Sequence, residues 1–201
     1  MTDRTEFDIG EHDVGYDIDR ATGLLLSARQ VVSPNVDERP DGVQATLIIV
    51  HGISLPPGEY GGPWIDLLFT NQLPAGEHPY FKQIEGLKVS SHLLIRRDGE
   101  LVQYVPFHRR AWHAGASNYQ GRERCNDFSI GIELEGMDDE AYEAAQYQQL
   151  SKVILSLCKH YPSLSTQHVV GHSDVAPGRK SDPGEAFDWQ RLRAMIKAWQ
   201  C

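Results

Sequence analysis

Three residues carry the chemistry of a metal site: His51, His172 and Asp182. His51 closes the apolar run Thr-Leu-Ile-Ile-Val, and period-two alternation puts Leu47, Ile49 and His51 on one face of a strand, with the imidazole at its carboxyl end. His172 closes a second such run, His-Val-Val-Gly. Asp182 follows in a stretch punctuated by Pro177, Gly178, Pro183 and Gly184, where neither helix nor strand can continue and the chain folds back. Two neutral imidazoles and one carboxylate suit zinc, and three protein ligands leave a fourth tetrahedral position for water, as a catalytic site requires. The chain has nine histidines, and a buried strand-end histidine with no metal is the ordinary alternative for His51 and His172. Asp174 rivals Asp182, since an extended His172-Ser173-Asp174 segment would put both outer side chains on one face. Its other expected role is to accept a hydrogen bond that orients a ligand imidazole.

Hydrolysis also needs a proton carrier and a stabiliser of negative charge. In Ser-Ile-Gly-Ile-Glu-Leu-Glu-Gly, alternation sets Gly131, Glu133 and Glu135 on one face and Ile130, Ile132 and Leu134 on the other. Glu133, deeper in the strand, is the candidate general base, against the alternative of an ion pair with an arginine. Glu135, beside Gly136 and an acidic turn, reads as a solvated strand-end carboxylate. Lys180, close to Asp182 in sequence, can aim an ammonium at a developing oxyanion, although a lone lysine is more often solvated surface. Trp112 offers a flat apolar face to a sugar or peptide.

The elements that must position these groups follow from periodicity. Thr46–Val50, Val89–Ile95, Leu101–Val105, Phe128–Leu134 and His168–Gly171 read as strands. Asp98-Gly99 turns the second of these into the third as a tight hairpin. A helix runs from about Asp139 to Tyr161, capped by Asp138 or Asp139, and a last one carries Trp189, Leu192, Ile196 and Trp199 behind Asp188. The Pro- and Gly-rich stretch after His51 forms turns around a short helix near Trp64–Phe69 and borders the site. The expected fold is α/β, a mixed central sheet flanked by helices, with residues 1–20 an acidic lead-in to one domain over 21–201.

Bulk properties narrow the function. With 201 residues the chain can bury a substantial core. A formal net charge of −9 opposes broad attraction to nucleic acid or anionic membranes. The acidic first residues lack the basic and apolar regions of a secretory signal, and no apolar run reaches membrane-spanning length. Cys125, Cys158 and Cys201 form an odd set without paired spacing, so a disulfide framework is not expected and a reducing compartment is.

In order along the chain, VHGISLPPGEYGGPWID, HLLIRRDGELVQYVPF, RAWHAG, GRERCNDFSIGIELEG and GHSDVAPGRKSDPGEAFDW resemble the AmpD-type 1,6-anhydro-N-acetylmuramoyl-L-alanine amidases. The resemblance runs from about residue 20 to Trp199. It implies an amidase-2, peptidoglycan-recognition-protein-like fold and cytoplasmic recycling of cell-wall fragments. It assigns zinc to His51, His172 and Asp182 and catalysis to Glu133 and Lys180. It makes an anhydromuramyl peptide the partner and Lys88, Ala111, Trp112 and Arg124 its contacts. Lys88 stands where arginine is more usual, which keeps the charge but loses the planar fork for a carboxylate. Two other readings stay open at this stage: a non-catalytic peptidoglycan-binding module, and an amidase acting on intact peptidoglycan.

Overall fold

The computed structural model describes residues 15–199. Residues 1–14 of the expected lead-in, and Cys201, lie outside the described residues. The rest of that lead-in is already packed: Ile18–Asp19 pairs with Leu24–Leu25, and Ile18 is buried in the main core. The folded unit therefore begins before residue 21.

Six strands build one mixed sheet: β1 (Arg29–Gln30), β2 (Leu47–Ile53), β3 (Leu93–Ile95), β4 (Leu101–Gln103), β5 (Ser129–Glu135) and β6 (Val169–Gly171), in the order β6-β2-β5-β3-β4-β1. β6, β2, β5 and β3 run parallel, β3 and β4 form an antiparallel hairpin, and β1 is parallel to β4. In the hairpin turn, Gly99 alone takes the left-handed region, at φ 92°, while Asp98 accepts a bond from Glu100 N–H at 2.9 Å.

The helices are α1 (Trp64–Phe69), α2 (Pro79–Gln83), α3 (Ala144–His160), the single turn α4 (His172–Val175) and α5 (Trp189–Trp199). α3 and α5 cover one face of the sheet. Leu150, Val153, Ile154 and Leu157 of α3 and Leu192 and Ile196 of α5 pack against Ile48, Val50, Ile130 and Ile132. A helical stripe meeting alternate strand positions is what both periodicities demand. The opposite face carries two smaller apolar clusters, one around Leu47, Ile49 and Phe128, the other around Leu94, Phe69 and Tyr104.

Two local expectations are corrected. α3 starts at Ala144 and not near Asp139, because the Gln146 side chain accepts the Glu143 N–H at 2.9 Å, while its amide donates to Ile95 O and Glu135 O. Gln146 thus satisfies an orphan donor of the helix and pins its first turn to the ends of β3 and β5. Asp188 caps α5 as expected, accepting Arg191 N–H at 2.8 Å. Glu135 is not a solvated carboxylate. It is buried and receives Arg96 Nη1 at 3.1 Å and Gly61 N–H at 2.8 Å. The arginine ion pair considered for Glu133 is made by Glu135, whose partner arrives from the hairpin turn.

Arg96 and Glu135 are 7% and 2% exposed, so removing one charge strands the other out of water. Arg96→Met is expected to lower the unfolding free energy by about 3–5 kcal/mol. Urea denaturation monitored by tryptophan fluorescence measures it, and an unchanged midpoint would contradict the burial argument.

Candidate metal centre

Parallel pairing fixes the geometry of the site. Glu133 of β5 is the register partner of His51 of β2, and Gly171 of β6 is that of Val50, so His172 lies one step on, beside His51. Register partners on parallel strands point to the same face. Glu133, His51 and His172 therefore line up across three strand ends, on the face away from α3 and α5. His172 does not continue the strand. It opens α4, whose helical turn folds Asp174 back to accept Gly171 N–H at 2.7 Å. Asp174 is thus a cap at the start of that turn and neither a ligand nor an orienter of an imidazole, which corrects both roles considered for it.

Asp182 returns to the site on the loop after α4. Ser173 N–H donates to Asp182 O at 3.0 Å, and Tyr142 Oη donates to Pro183 O at 2.9 Å, clamping the loop on both sides. His51 Nδ1 lies 3.0 Å from His172 Nδ1 and 3.2 Å from Asp182 Oδ2, and His172 Nδ1 is 3.0 Å from Asp182 Oδ2. Ligands about 2.0–2.1 Å from a tetrahedral ion stand roughly 3.3 Å apart, so the three atoms match one face of such a tetrahedron. Nitrogen and carboxylate donors on two neutral imidazoles and an aspartate are a set zinc accepts. Among the described residues, these three alone form such a cluster.

The protonation states agree with that fit. Burial lowers the His51 pKa to about 4, opposed mainly by its bond to Asp182, so the ring is neutral at pH 7. His172 Nε2 faces the Ala114 carbonyl at 3.2 Å, with Arg179 Nη2 at 3.5 Å, while its Nδ1 faces the Asp182 carboxylate at 3.0 Å. For Asp182, burial opposes ionisation, but bonds from His172 and His51 outweigh it and hold the carboxyl well below the usual range.

Glu133 is 8% exposed and makes no hydrogen bond to a described residue. It lines a cavity of about 190 Å³ together with Lys180 and the three cluster residues. The apolar wall comes from the segment after His51, including Leu55, Leu68, Tyr80 and Leu87, so that stretch borders the site as its position suggests. Lys88 sits exposed in an adjoining recess that shares Leu68, Ile84 and Leu87 with this cavity. Trp112 is half-buried and its Nε1 has no hydrogen-bond partner among the described residues, Ala111 is buried in the apolar cluster around Phe69, and exposed Arg124 pairs with Asp127 at 3.2 Å. The structure also brings in a residue the sequence did not single out. His113 Nδ1 stands 2.9 Å from His51 Nε2, a contact invisible in the sequence because it depends on the bare backbone of Gly131.

A family model described as N-acetylmuramoyl-L-alanine amidase matches residues 41–185. The chain is 61% identical over 174 residues to the 1,6-anhydro-N-acetylmuramyl-L-alanine amidase AmpD of Salmonella typhimurium, covering 87% of this chain and 92% of that protein. A crystal structure of a selenomethionine AmpD derivative matches with a TM-score of 0.86 at 59% identity, covering 90% of this chain and 99% of that one. The Escherichia coli amidase AmiD, solved with anhydro-N-acetylmuramic acid-L-Ala-D-γ-Glu-L-Lys, matches with a TM-score of 0.57 at 27% identity, covering 79% of this chain and 60% of that chain.

Burial pushes the Glu133 carboxyl well above the usual carboxylate range; the Asp182 charge adds to this and Lys180 opposes it. In the metal-free chain the folded state therefore keeps a proton that the unfolded state releases, and stability falls as pH rises from about 4.5 toward the raised value. Glu133→Gln removes that penalty. Metal-free Glu133→Gln should be more stable than metal-free wild type at pH 7 by on the order of 1 kcal/mol, and the two should converge near pH 4. Urea midpoints at both pH values provide the check, and equal midpoints at pH 7 would refute it.

Proposed function

The chain belongs to the N-acetylmuramoyl-L-alanine amidase family, and from that premise we propose that it is a zinc hydrolase whose ligands are His51, His172 and Asp182. It cleaves the amide between the lactyl group of 1,6-anhydro-N-acetylmuramic acid and L-alanine in cell-wall muropeptides, in peptidoglycan recycling. The observation that carries the proposal is the convergence of three donor atoms, 3.0–3.2 Å apart, beside a buried carboxylate that has no hydrogen-bond partner among the described residues.

Zinc bound there supplies Lewis acidity to water and to the scissile carbonyl, and positive charge that favours the ionised form of Glu133. The Glu133 carboxylate accepts the proton of water as its oxygen bonds to the lactyl carbonyl carbon. It then passes a proton to the alanine nitrogen as the C–N bond breaks. The Lys180 ammonium offsets charge building on the carbonyl oxygen. The products are a lactyl carboxylate and a stem peptide with a free amine. Trp112, Lys88, Arg124 and the backbone at Ala111 are the proposed contacts to the muropeptide; Lys88 offers a point charge to a stem-peptide carboxylate. No helix among the described residues is long and apolar enough to cross a membrane. A cytoplasmic location is part of the proposal and rests on the family resemblance.

The test is mass-spectrometric detection of released stem peptide from a defined anhydromuropeptide, with and without chelator. Wild type should cleave only when zinc is restored. Glu133→Ala should retain zinc and lose kcat by about 100-fold or more, and Asp182→Asn should weaken zinc itself. Intact muropeptide after incubation with zinc-replete wild type would sink the proposal, and a strong preference for sacculi would move the substrate to intact peptidoglycan.

A further inference from the structure

Lys180 can act on the cavity only if its stem leaves the backbone at the right place, and little packs there. Pro177, Gly178, Arg179, Lys180 and Ser181 are all exposed, so no apolar burial fixes the turn between α4 and Asp182. Gly178 takes the left-handed region at φ 76°, and the turn closes on one acceptor: Arg179 N–H and Lys180 N–H both donate to Ala176 O, at 3.1 and 3.0 Å. Those bonds shape the turn without tying it to the rest of the site. Among residues 177–181, Arg179 alone makes a side-chain hydrogen bond to a described residue.

The partners of that side chain lie on a different segment. Arg179 Nε and Nη2 both donate to Ala116 O, at 3.1 and 2.8 Å, and Nη2 donates also to Ala114 O. Gly115 lies between the two carbonyls at φ 58°, a left-handed position that turns both toward one guanidinium. The segment is itself anchored, since His113 N–H and Ala114 N–H both donate to Asn126 Oδ1, at 3.2 and 2.7 Å. Asn126 belongs to the 3₁₀ turn Cys125–Asp127 that leads into β5, the strand of Glu133. Arg179 therefore joins the turn of Lys180 to the frame that holds Glu133.

We infer that Arg179 is a positioning residue: by gripping the Ala114 and Ala116 carbonyls it fixes the backbone from which Lys180 reaches the cavity. Its planar fork suits this task better than an ammonium, because one carbonyl takes two nitrogens and the other shares one of them, so the group cannot swivel. The inference rests on the amidase reading for its consequence, since Lys180 is assigned there to the developing oxyanion. Arg179 Nη2 also approaches His172 Nε2 at 3.5 Å. That separation is too long for a strong bond. The Ala114 carbonyl, at 3.2 Å from the same ring, keeps its anchor on Asn126 when Arg179 is replaced, so zinc binding is not the property expected to suffer.

A double-substitution cycle on the full, zinc-loaded chain tests it. Arg179→Ala should lower kcat on a defined anhydromuropeptide by about 10–100-fold, the range that misplacing a reacting group by roughly 1 Å brings. In a Lys180→Ala background the same change should cost no more than about 3-fold, since the group it positions is already gone. An equal loss in both backgrounds, or no loss in the wild-type background, overturns the inference. Zinc affinity by chelator competition should stay within a few-fold of wild type, and a loss of about 10-fold or more would assign Arg179 to His172 and overturn it as well. ¹⁵N relaxation of the metal-free chain gives a readout independent of activity. In Arg179→Ala the backbone order parameters at Lys180 and Ser181 should fall from about 0.85 to below about 0.6, and unchanged values count against the brace. If Arg179→Ala does not fold, Arg179→Lys, which keeps the charge and loses the fork, takes its place in every arm. Wild type that cleaves no muropeptide defeats the amidase reading, and the relaxation data then decide alone whether the brace stands.

Discussion

The parallel register of β5 on β2, with β6 alongside, is the constraint on which the site depends. Because side chains alternate strictly along a strand, a one-residue slip would turn Glu133 or His51 into the core beneath α3. The register is held by what lies below it. Ile48, Val50, Ile130 and Ile132 pack under α3 and α5, so the hydrophobic core and the polar row are opposite faces of the same pairing. The energy that aligns the polar row is thus mostly apolar burial on the far side of the sheet, where moving a side chain out of register costs roughly 1.5–3 kcal/mol per large residue.

That arrangement explains how groups expensive to bury can be held together. His51 and His172 are each 2% exposed and Glu133 is 8% exposed. In the metal-free chain burial keeps the His51 imidazole uncharged, Asp182 is ionised by its contacts, and the Glu133 carboxyl is driven toward its neutral form. A carboxyl with a raised pKa facing three candidate metal ligands is poised to change state if positive charge enters. Glu135, two positions along the same strand face, is already neutralised by Arg96. Of the two carboxylates, one is committed to holding the fold and the other is left to the cavity.

Much of this was legible in the sequence, and the reasons for the rest are specific. His51 could be found because period-two alternation ends on it, and the core and site faces of β2 follow that pattern. The hairpin at Gly99, the Asp188 cap and the run of α3 from Leu150 to Leu157 rest on local rules that tertiary packing did not override. The start of α3 was misplaced because its cap, Gln146, is chosen by carbonyls of β3 and β5 that lie far away in sequence. Glu135 looked solvated because its neighbours are polar, while the arginine that buries it arrives from a turn 39 residues earlier. Asp174 looked ligand-like only if the chain stayed extended, and the helical turn at His172 removes that premise. His113 could not be selected from nine histidines, because what singles it out is a contact and not a pattern.

His113 shares its mode of support with Tyr142 on the other side of the site. A Cβ added at Gly131 would strike His113, and one at Gly52 or Gly136 would strike Tyr142 at 2.3 or 2.4 Å. None of these three glycines needs a left-handed backbone, so glycine is required there for the space it does not fill. Each is a recess cast in the sheet to receive a ring. The positions most sensitive to a single added methyl therefore include residues that bear no chemistry at all, and the site is specified partly by negative volume.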